Sequence, residues 1–375
     1  MNLALSEEQE MLKKAARDFL EERCPKSFVK LMEQDDRGYS PELWEEMAAL
    51  GWTGLVFPEA YGGSGMSFLD LAVLSEEMGR ACVPAPFFPT VVLAGLPIMN
   101  AGTDKQKGEY LPDIVSGKTI FSLALLEPEL GHDPDAITVE ATRDGNAYVI
   151  SGSKLFVPYA RVADYLLCVA RTSRQQEGVT VLIVDATSPG IACTVLKTMA
   201  HDQLYEVVFD QVRVPRENVL GQPDQGWPLV QSIVQGANIA KCCEMVGNLQ
   251  WVMEDTIAYA KDRKQFDRPI GSFQVIQHYC ADMYTCVEGA RLCAYQAAWM
   301  LSEGLACAKE TALAKSWINE VSPRVLNLAH QIHGAMGVSM EHELHFYTTR
   351  ARPVEVGYDQ SSSYLEAIAQ DMGLV

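Results

Sequence analysis

The sequence contains no apolar run approaching the ~18 residues that a membrane-crossing helix needs, so no segment reads as a membrane span. It is also short of positive charge: 30 Lys and Arg stand against 49 Asp and Glu, a formal net charge of −19 over 375 residues. A surplus of that sign argues against nucleic acid or an anionic membrane surface as a partner, and any anionic ligand would have to be met by local cations. No CxxC pair and no His-rich cluster accompanies the 10 cysteines; Cys242 and Cys243 are adjacent and the others are scattered through apolar stretches. That pattern offers neither a disulfide framework nor metal-ligand spacing, so no metal residues are assigned. The cysteines read as reduced, mostly buried thiols of a cytoplasmic protein. Internal repeats and low-complexity linkers are absent too, and no Lys or Arg occurs from Ala81 to Thr103.

What is present suffices for packed cores. Hydrophobic residues make up 48% of the chain, and the length exceeds one ordinary core, which predicts two or three domains. Ser6, Glu7, Glu8 and Gln9 form a capping box ahead of Met11, Leu12, Ala15, Ala16, Phe19 and Leu20 at helical spacing. This reads as a folded helix and not as a signal or transit peptide. Helical periodicity runs to about residue 118, punctuated at 24–26, 61–65 and 84–89. Around Ile120 it gives way to alternation rich in β-branched and aromatic residues, with strands predicted near 148–150, 165–170, 179–185 and 206–209. From Trp227 long helical patterns return. The prediction is an α+β chain with an N-terminal helical domain (1–118), a middle antiparallel β-barrel domain (119–222) and a C-terminal four-helix bundle (223–375).

One stretch draws attention, the segment 263–274 between two long apolar-striped segments. It reads as a helix-to-helix corner, with Pro269 and Gly271 stopping the first helix and Ser272 capping the second. Arg263, Lys264 and Arg268 stand beside Phe266 and Phe273, which offers cations to an anion and rings to a heterocycle; a solvated turn over two core aromatics explains the same residues. The segment resembles the RxxFGxPIxxFQ signature of the acyl-CoA dehydrogenase family, with Asp267 in place of a Gly. The stretches 51–63, 207–221 and 331–337 resemble the same family, and so does the order helices, β barrel, helices, so that the likeness covers nearly the whole chain.

The resemblance implies FAD as cofactor. Arg263 would meet the FAD pyrophosphate of a neighbouring subunit, with Phe266 and Gln274 in the same site. Two strands that cradle the flavin in the family stand here as Leu126–Asp133 and Lys154–Pro158, giving Leu126, His132, Phe156 and Pro158 as contacts. Leu126 replaces a hydroxyl, and Pro158 replaces a Thr donor with a residue that has no N–H. Gln331 and Gly334 match the turn that holds the ADP portion. Ser361 keeps a hydroxyl for the FAD phosphate, and Ser363 joins it. The family's catalytic Glu aligns with Asp359, whose other reading is a helix N-cap; its side chain reaches roughly 1.5 Å less far than Glu, and a ~1 Å misplacement can cost ~100-fold in rate. Glu244 is the reserve base. Phe87, Phe88 and Tyr358 would contact substrate. With no cation between 81 and 103, an apolar, bulky or cyclic acyl group is expected. The implied partners are an acyl-CoA thioester, an electron-transfer flavoprotein, and copies of the chain in a homotetramer or a paralogous subunit in a heterotetramer, in fatty or alicyclic acid degradation. The rival readings are a nitroalkane oxidase-like flavin oxidase and a non-catalytic subunit.

Overall fold

The computed structural model describes residues 4–128, 133–173, 178–356 and 361–374. The N-terminal part holds α1 (Glu7–Arg23), α2 (Lys26–Met32), α3 (Pro41–Ala49), α4 (Phe68–Ala81), a π-helical turn Phe88–Gly95, α5 (Leu96–Ala101) and α6 (Asp104–Val115). The capping box of α1 forms as expected: the Gln9 N–H donates to Ser6 Oγ at 3.2 Å, and the Ser6 N–H donates to Gln9 Oε1 at 3.0 Å. The same device, Ser67 with Asp70, starts α4. Each box satisfies two amides that the first turn leaves without helical partners.

The middle strands are β1 (Phe121–Ala124), β2 (Glu140–Asp144), β3 (Ala147–Pro158), β4 (Tyr165–Arg171), β5 (Val179–Asp185), β6 (Ile191–Leu196), β7 (Leu204–Pro215) and β8 (Val219–Leu220). Their order is β6-β7-β3-β2-β4-β5-β8, with β1 also on β4. The fold class is the expected one, with two corrections to the expected antiparallel barrel. The β1–β4 pairing and the single β2–β4 pair are parallel. Among the described residues the sheet stays open, because β6 pairs only with β7 and β8 only with β5. Parallel pairing of β1 with β4 is available because the chain between them, which includes β2 and β3, is long enough for the crossover that parallel strands need.

The remainder is helical: α7 (Trp227–Asp262), then β9 (Lys264–Gln265) and β10 (Arg268–Pro269), α8 (Gln274–Ser302), α9 (Ala308–His333), α10 (Leu344–Val356) and α11 (Ser361–Asp371). None of the described helices is long and apolar enough to cross a membrane.

By its contacts the chain divides into two compact units, 1–29 with 67–83 and 238–375, and 30–66 with 84–237. In the first unit α4 and α7 approach backbone to backbone. A Cβ on Gly79 would stand 1.8 Å from the Glu244 carbonyl oxygen, and one on Gly247 1.8 Å from that of Glu76, so both positions require glycine. Beside this crossing Glu76 is buried, at 1% exposure. It accepts from Lys13 Nζ at 2.8 Å, from Tyr295 OH at 2.7 Å and from the Arg291 guanidinium. Burial opposes the carboxylate, but Arg291 and Lys13 outweigh it and hold the Glu76 carboxyl below the usual range. In the second unit β4 and β5 are buried along almost their whole length, which is why both are near-continuous apolar runs.

Candidate cofactor site

The second unit brings together the two segments singled out for a flavin. The Leu155 N–H donates to the Leu126 carbonyl at 2.8 Å, so the two chains lie edge to edge. On β3 the pairing with β7 breaks register between Lys154 and Val157, and Phe156 takes a φ of +54° there. The bulge undoes the ordinary alternation of the strand. Lys154 points into the core and is fully buried, while Phe156 keeps 40% of its surface exposed. An aromatic held out of the core by a left-handed backbone is an unusual expense for a surface residue. Pro158 ends the strand, and its carbonyl accepts the Ser122 hydroxyl at 2.5 Å. Leu126 is half-buried. Neither Leu126 nor Pro158 offers a side-chain donor.

Lys154 explains how this edge is held. Its ammonium donates to the Leu125 carbonyl at 3.0 Å and to Glu127 Oε1 at 2.6 Å. Glu127, 3% exposed, also accepts from the Thr138 N–H at 2.9 Å, the Thr138 hydroxyl at 2.5 Å and the Val139 N–H at 3.1 Å. Burial works against both charges. The Lys154 ammonium and the Thr138 bonds nevertheless keep the Glu127 carboxyl below its ordinary range, whereas burial pushes Lys154 down despite Glu127. The pair has its polar neighbours supplied, which is the condition under which a buried ion pair is tolerable. Sequence reasoning assigned no task to either residue.

In the first unit, segment 263–274 is more than the expected helix-to-helix corner. Helix α7 ends at Asp262, before the proline, and β9 and β10 make a two-residue hairpin. Phe266 and Asp267 turn it with φ of +52° and +62°, the handedness that suits a tight hairpin. Ser272 does not cap α8: its hydroxyl donates to the Pro269 carbonyl at 2.7 Å, and Phe273 occupies the N-cap position without a side-chain bond. The Arg268 guanidinium lies 4.1 Å over the Phe273 ring. Arg263 and Gln274 are exposed, and Phe266 is 87% exposed. The Arg263 N–H donates to the Tyr259 carbonyl at 2.8 Å, and the Tyr259 ring stacks on His333 at 4.4 Å. His333 precedes Gly334, which ends α9 at a φ of +59°. Arg263 and the turn of Gln331 and Gly334 therefore share one end of this unit.

That end also holds a cluster the sequence did not disclose. Asp255, His333 and His342 place their ligand atoms within 4.8 Å of one another. His333 Nε2 is 3.5 Å and His342 Nε2 3.9 Å from Asp255 Oδ2. The surroundings are wrong for a metal. A ligating imidazole donates its second N–H to an acceptor, yet His342 Nδ1 instead accepts from the Leu344 N–H at 3.2 Å, and His333 Nδ1 is buried with no partner. His342 thus carries its proton on Nε2, facing the carboxylate. Burial, with His342 and His330 nearby, pushes His333 down to about 4, and burial raises Asp255.

His132, Tyr358 and Asp359 lie outside the described residues. Ser361 and Ser363 are the first and third residues of α11. Phe87 is buried and Phe88 half-buried at the start of the π-helical turn, where Thr90 exchanges hydrogen bonds with the backbone of Phe121. Glu244 is engaged by Lys241 Nζ at 2.7 Å.

In the second unit the edge at Phe156 could face a flat aromatic heterocycle, leaving ring hydrogen bonds to backbone groups, and in the first unit Arg263 offers an exposed cation to an anion. Family models described as acyl-CoA dehydrogenase N-terminal, middle and C-terminal domains match residues 6–118, 122–212 and 224–372. The chain is 32% identical to a probable acyl-CoA dehydrogenase of Bacillus subtilis (strain 168), across 99% of this chain and 100% of that one. It is 30% identical to a caffeyl-CoA reductase-Etf complex subunit of Acetobacterium woodii, across 90% and 91%. A solved structure of PigA with FAD and proline superposes with a TM-score of 0.93 at 25% identity, covering 100% of both chains.

Proposed function

The chain belongs to the acyl-CoA dehydrogenase family, and from that premise we propose that it desaturates the α,β bond of an apolar, bulky or cyclic acyl-CoA thioester. It is an oxidoreductase of CH–CH bonds with FAD as its cofactor. The observation that carries the reading is the junction of Leu126 with Leu155 over the buried Lys154–Glu127 pair, in a chain matched along its whole length. When bound, FAD accepts the hydride from the β-carbon. Phe156 would lie against the flavin, beside Leu126 and Pro158, with His132 toward its phosphates. Arg263, Phe266, Gln274, Gln331 and Gly334 would hold the nucleotide, and Ser361 and Ser363 its phosphate. Asp359 would take the α-proton, and its shorter reach calls for a substrate seated closer to the backbone than a Glu would need. Phe87, Phe88 and Tyr358 would line an acyl pocket without a cation.

We read 1–118, 119–222 and 223–375 as the modules of this enzyme. An electron-transfer flavoprotein is the proposed electron acceptor, supported by the relative named for an Etf complex. A homotetramer, or a heterotetramer with a paralogous chain, is supported by the exposed Phe266, Val275, Met336, Val338 and Met340. A cytoplasmic setting is supported by ten free cysteines. A second reading has its own observation: without side-chain donors at Leu126 and Pro158, the chain would serve as the non-catalytic subunit of a heteromer.

One experiment separates the readings. Protein purified alone should show a flavin absorption spectrum that bleaches with an apolar acyl-CoA. Asp359→Asn should bind thioester and lose bleaching by at least the ~100- to 10,000-fold typical of a general base. A colourless protein that gains flavin only with a partner chain would establish the second reading, and oxygen consumption with nitroalkanes would point to an oxidase.

A further inference from the structure

The chain segment after the first flavin strand is tied down in an unusual way. It leaves the sheet region at Glu127 and rejoins it at Glu140, the first residue of β2. Between these points the limb 133–139 forms only one 3₁₀ turn, Pro134–Ala136, and no ladder holds it. Beside the backbone bonds of that turn and the Arg171 amide, three side chains take up the limb's backbone groups. From the near end Glu127 accepts the N–H groups of Thr138 and Val139 and the Thr138 hydroxyl. Within the limb Asp133 Oδ1 accepts the Ala136 N–H at 3.1 Å. From β4 comes Arg171, about four-fifths buried. Its Nε donates to the Ile137 carbonyl at 2.8 Å, its Nη2 to the Pro134 carbonyl and its Nη1 toward the Ser173 carbonyl at 3.5 Å, while its backbone N–H donates to the Val139 carbonyl at 2.7 Å.

The arrangement is a two-sided clamp. An anion gathers the amides of the limb and a cation gathers its carbonyls, so each side chain reads one polarity of the backbone. Arg is suited to the second task because its planar fork reaches several acceptors at once, which a Lys point charge cannot do. Arg171 donates to carbonyls of the limb and of Ser173, and Asp135, an exposed carboxylate of the same limb, lies 4.0 Å from its Nη2. Packing did not require a guanidinium at the end of an otherwise apolar strand, Tyr165–Arg171. The bonds of Arg171 to the Pro134 and Ile137 carbonyls tie the position of the limb to β4.

We propose that Arg171 is a positioning residue for FAD retention, acting with Glu127 to fix the limb 133–139 beside the flavin edge formed by Leu126 and Phe156. The inference rests on the cofactor assigned under the proposed function. Side-chain donors are missing at Leu126 and Pro158, so backbone placement carries more of the flavin contact here, and a clamp on the backbone has correspondingly more effect.

The test uses the full chain in three forms: wild type, Arg171→Met and Arg171→Lys. FAD dissociation constants are measured by flavin fluorescence, and amide hydrogen exchange is followed in the flavin-free proteins. Arg171→Met should weaken FAD by about 10- to 100-fold, the equivalent of one charge-assisted hydrogen bond. It should speed exchange at Ile137, Thr138 and Val139 while leaving β5 and the first unit protected. Arg171→Lys should recover part of both effects. Thr138→Val, which removes only the hydroxyl bond to Glu127, gives a milder variant should Arg171→Met fold poorly, and it should shift FAD affinity in the same direction. Unchanged FAD affinity in Arg171→Met and Thr138→Val would overturn the proposal, and so would faster exchange spread evenly over the second unit. Failure of wild type to bind FAD would overturn the cofactor assignment instead, and the exchange pattern would still decide whether Arg171 holds the limb.

Discussion

Replacing Lys154 by Met tests whether the flavin edge stands on a buried charge. The substitution keeps the length of the side chain and removes the ammonium, leaving the Glu127 carboxylate at 3% exposure. Removing one partner of a buried pair costs about 3–5 kcal/mol. The lower end applies here, because three donors remain on Glu127, from the Thr138 amide and hydroxyl and the Val139 amide. Only the Leu125 carbonyl, bonded by Lys154 at 3.0 Å, loses its partner in addition. At ~2.1 cal/mol/K of unfolding entropy per residue, a cost of about 3 kcal/mol lowers the melting temperature of a chain this long by about 4 °C. Glu127→Gln leaves an ammonium facing an amide and should cost more, toward ~5 kcal/mol. The double variant should recover part of the loss, since no uncompensated charge remains. Thermal melts of the four proteins at pH 7 form the cycle. If Lys154→Met shifted the melt by less than about 1 °C, or if the two single losses simply added, then water would be reaching Glu127 and the pair would not support the edge.

Three further outcomes are expected. Arg263→Ala should reduce FAD affinity by about 1.5–3 kcal/mol with an unaltered melt of the flavin-free protein. The side chain is exposed, and the backbone bond from the Ile270 N–H to the Arg263 carbonyl at 2.8 Å survives the change; equal flavin content in both proteins would remove the hairpin from the site. Glutaryl-CoA should bleach the flavin at least ~10-fold more slowly than an apolar acyl-CoA of similar size, because no cation from 81 to 103 meets its free carboxylate; equal rates would refute the apolar pocket. Acid should destabilise the protein through His333. Its folded value near 4 lies below the ordinary 6.5, so the unfolded chain binds the proton first, and stability present above pH 6.5 is lost as pH falls toward 4. The full loss is about 3 kcal/mol, partly offset because the raised Asp255 takes up a proton in the folded state. His333→Phe should flatten that slope, and an unchanged slope in urea melts between pH 7 and 4.5 would exclude His333 as its source.

Much of this architecture was legible in the chain because local physics and tertiary packing ask for the same residues. The capping box at Ser6 and Gln9 is read from four letters, and the continuous apolar run of β5 leaves its strand no other face to show. Where the two demands part, the reading failed. At 263–274 the proline and glycine are real turn signals, but the helix stops earlier, at Asp262. The residues that turn the hairpin are Phe266 and Asp267, and neither pair-wise nor singly do they carry the Asn-Gly or Asp-Gly signature that positive φ ordinarily demands. The edge strand β6 was missed for a related reason. Its middle residues, Ala192 to Val195, are all exposed, so no alternation marks it.

The site divides along the same line, and the division says where chemistry hides from a single sequence. Phe156 and Arg263 could be named because aromatic rings and cations at the surface are conspicuous. Lys154, Glu127 and Arg171 could not, since a Lys inside an alternating strand reads as its solvent face. Yet Lys154 shares the inward parity of Tyr148 and Ile150, and the bulge that follows turns Val157 inward and Phe156 outward, a shift set by the register with the distant β7. Asp255, His333 and His342 are likewise brought together by the meeting of α7 with the end of α9, and no spacing rule spans that distance. Polar groups that hold a site in place are therefore the part of it that the sequence conceals. They are also the part whose loss costs most, because each is buried with its partners chosen, and an Ala or Met in its place leaves a charge or a carbonyl that water cannot reach.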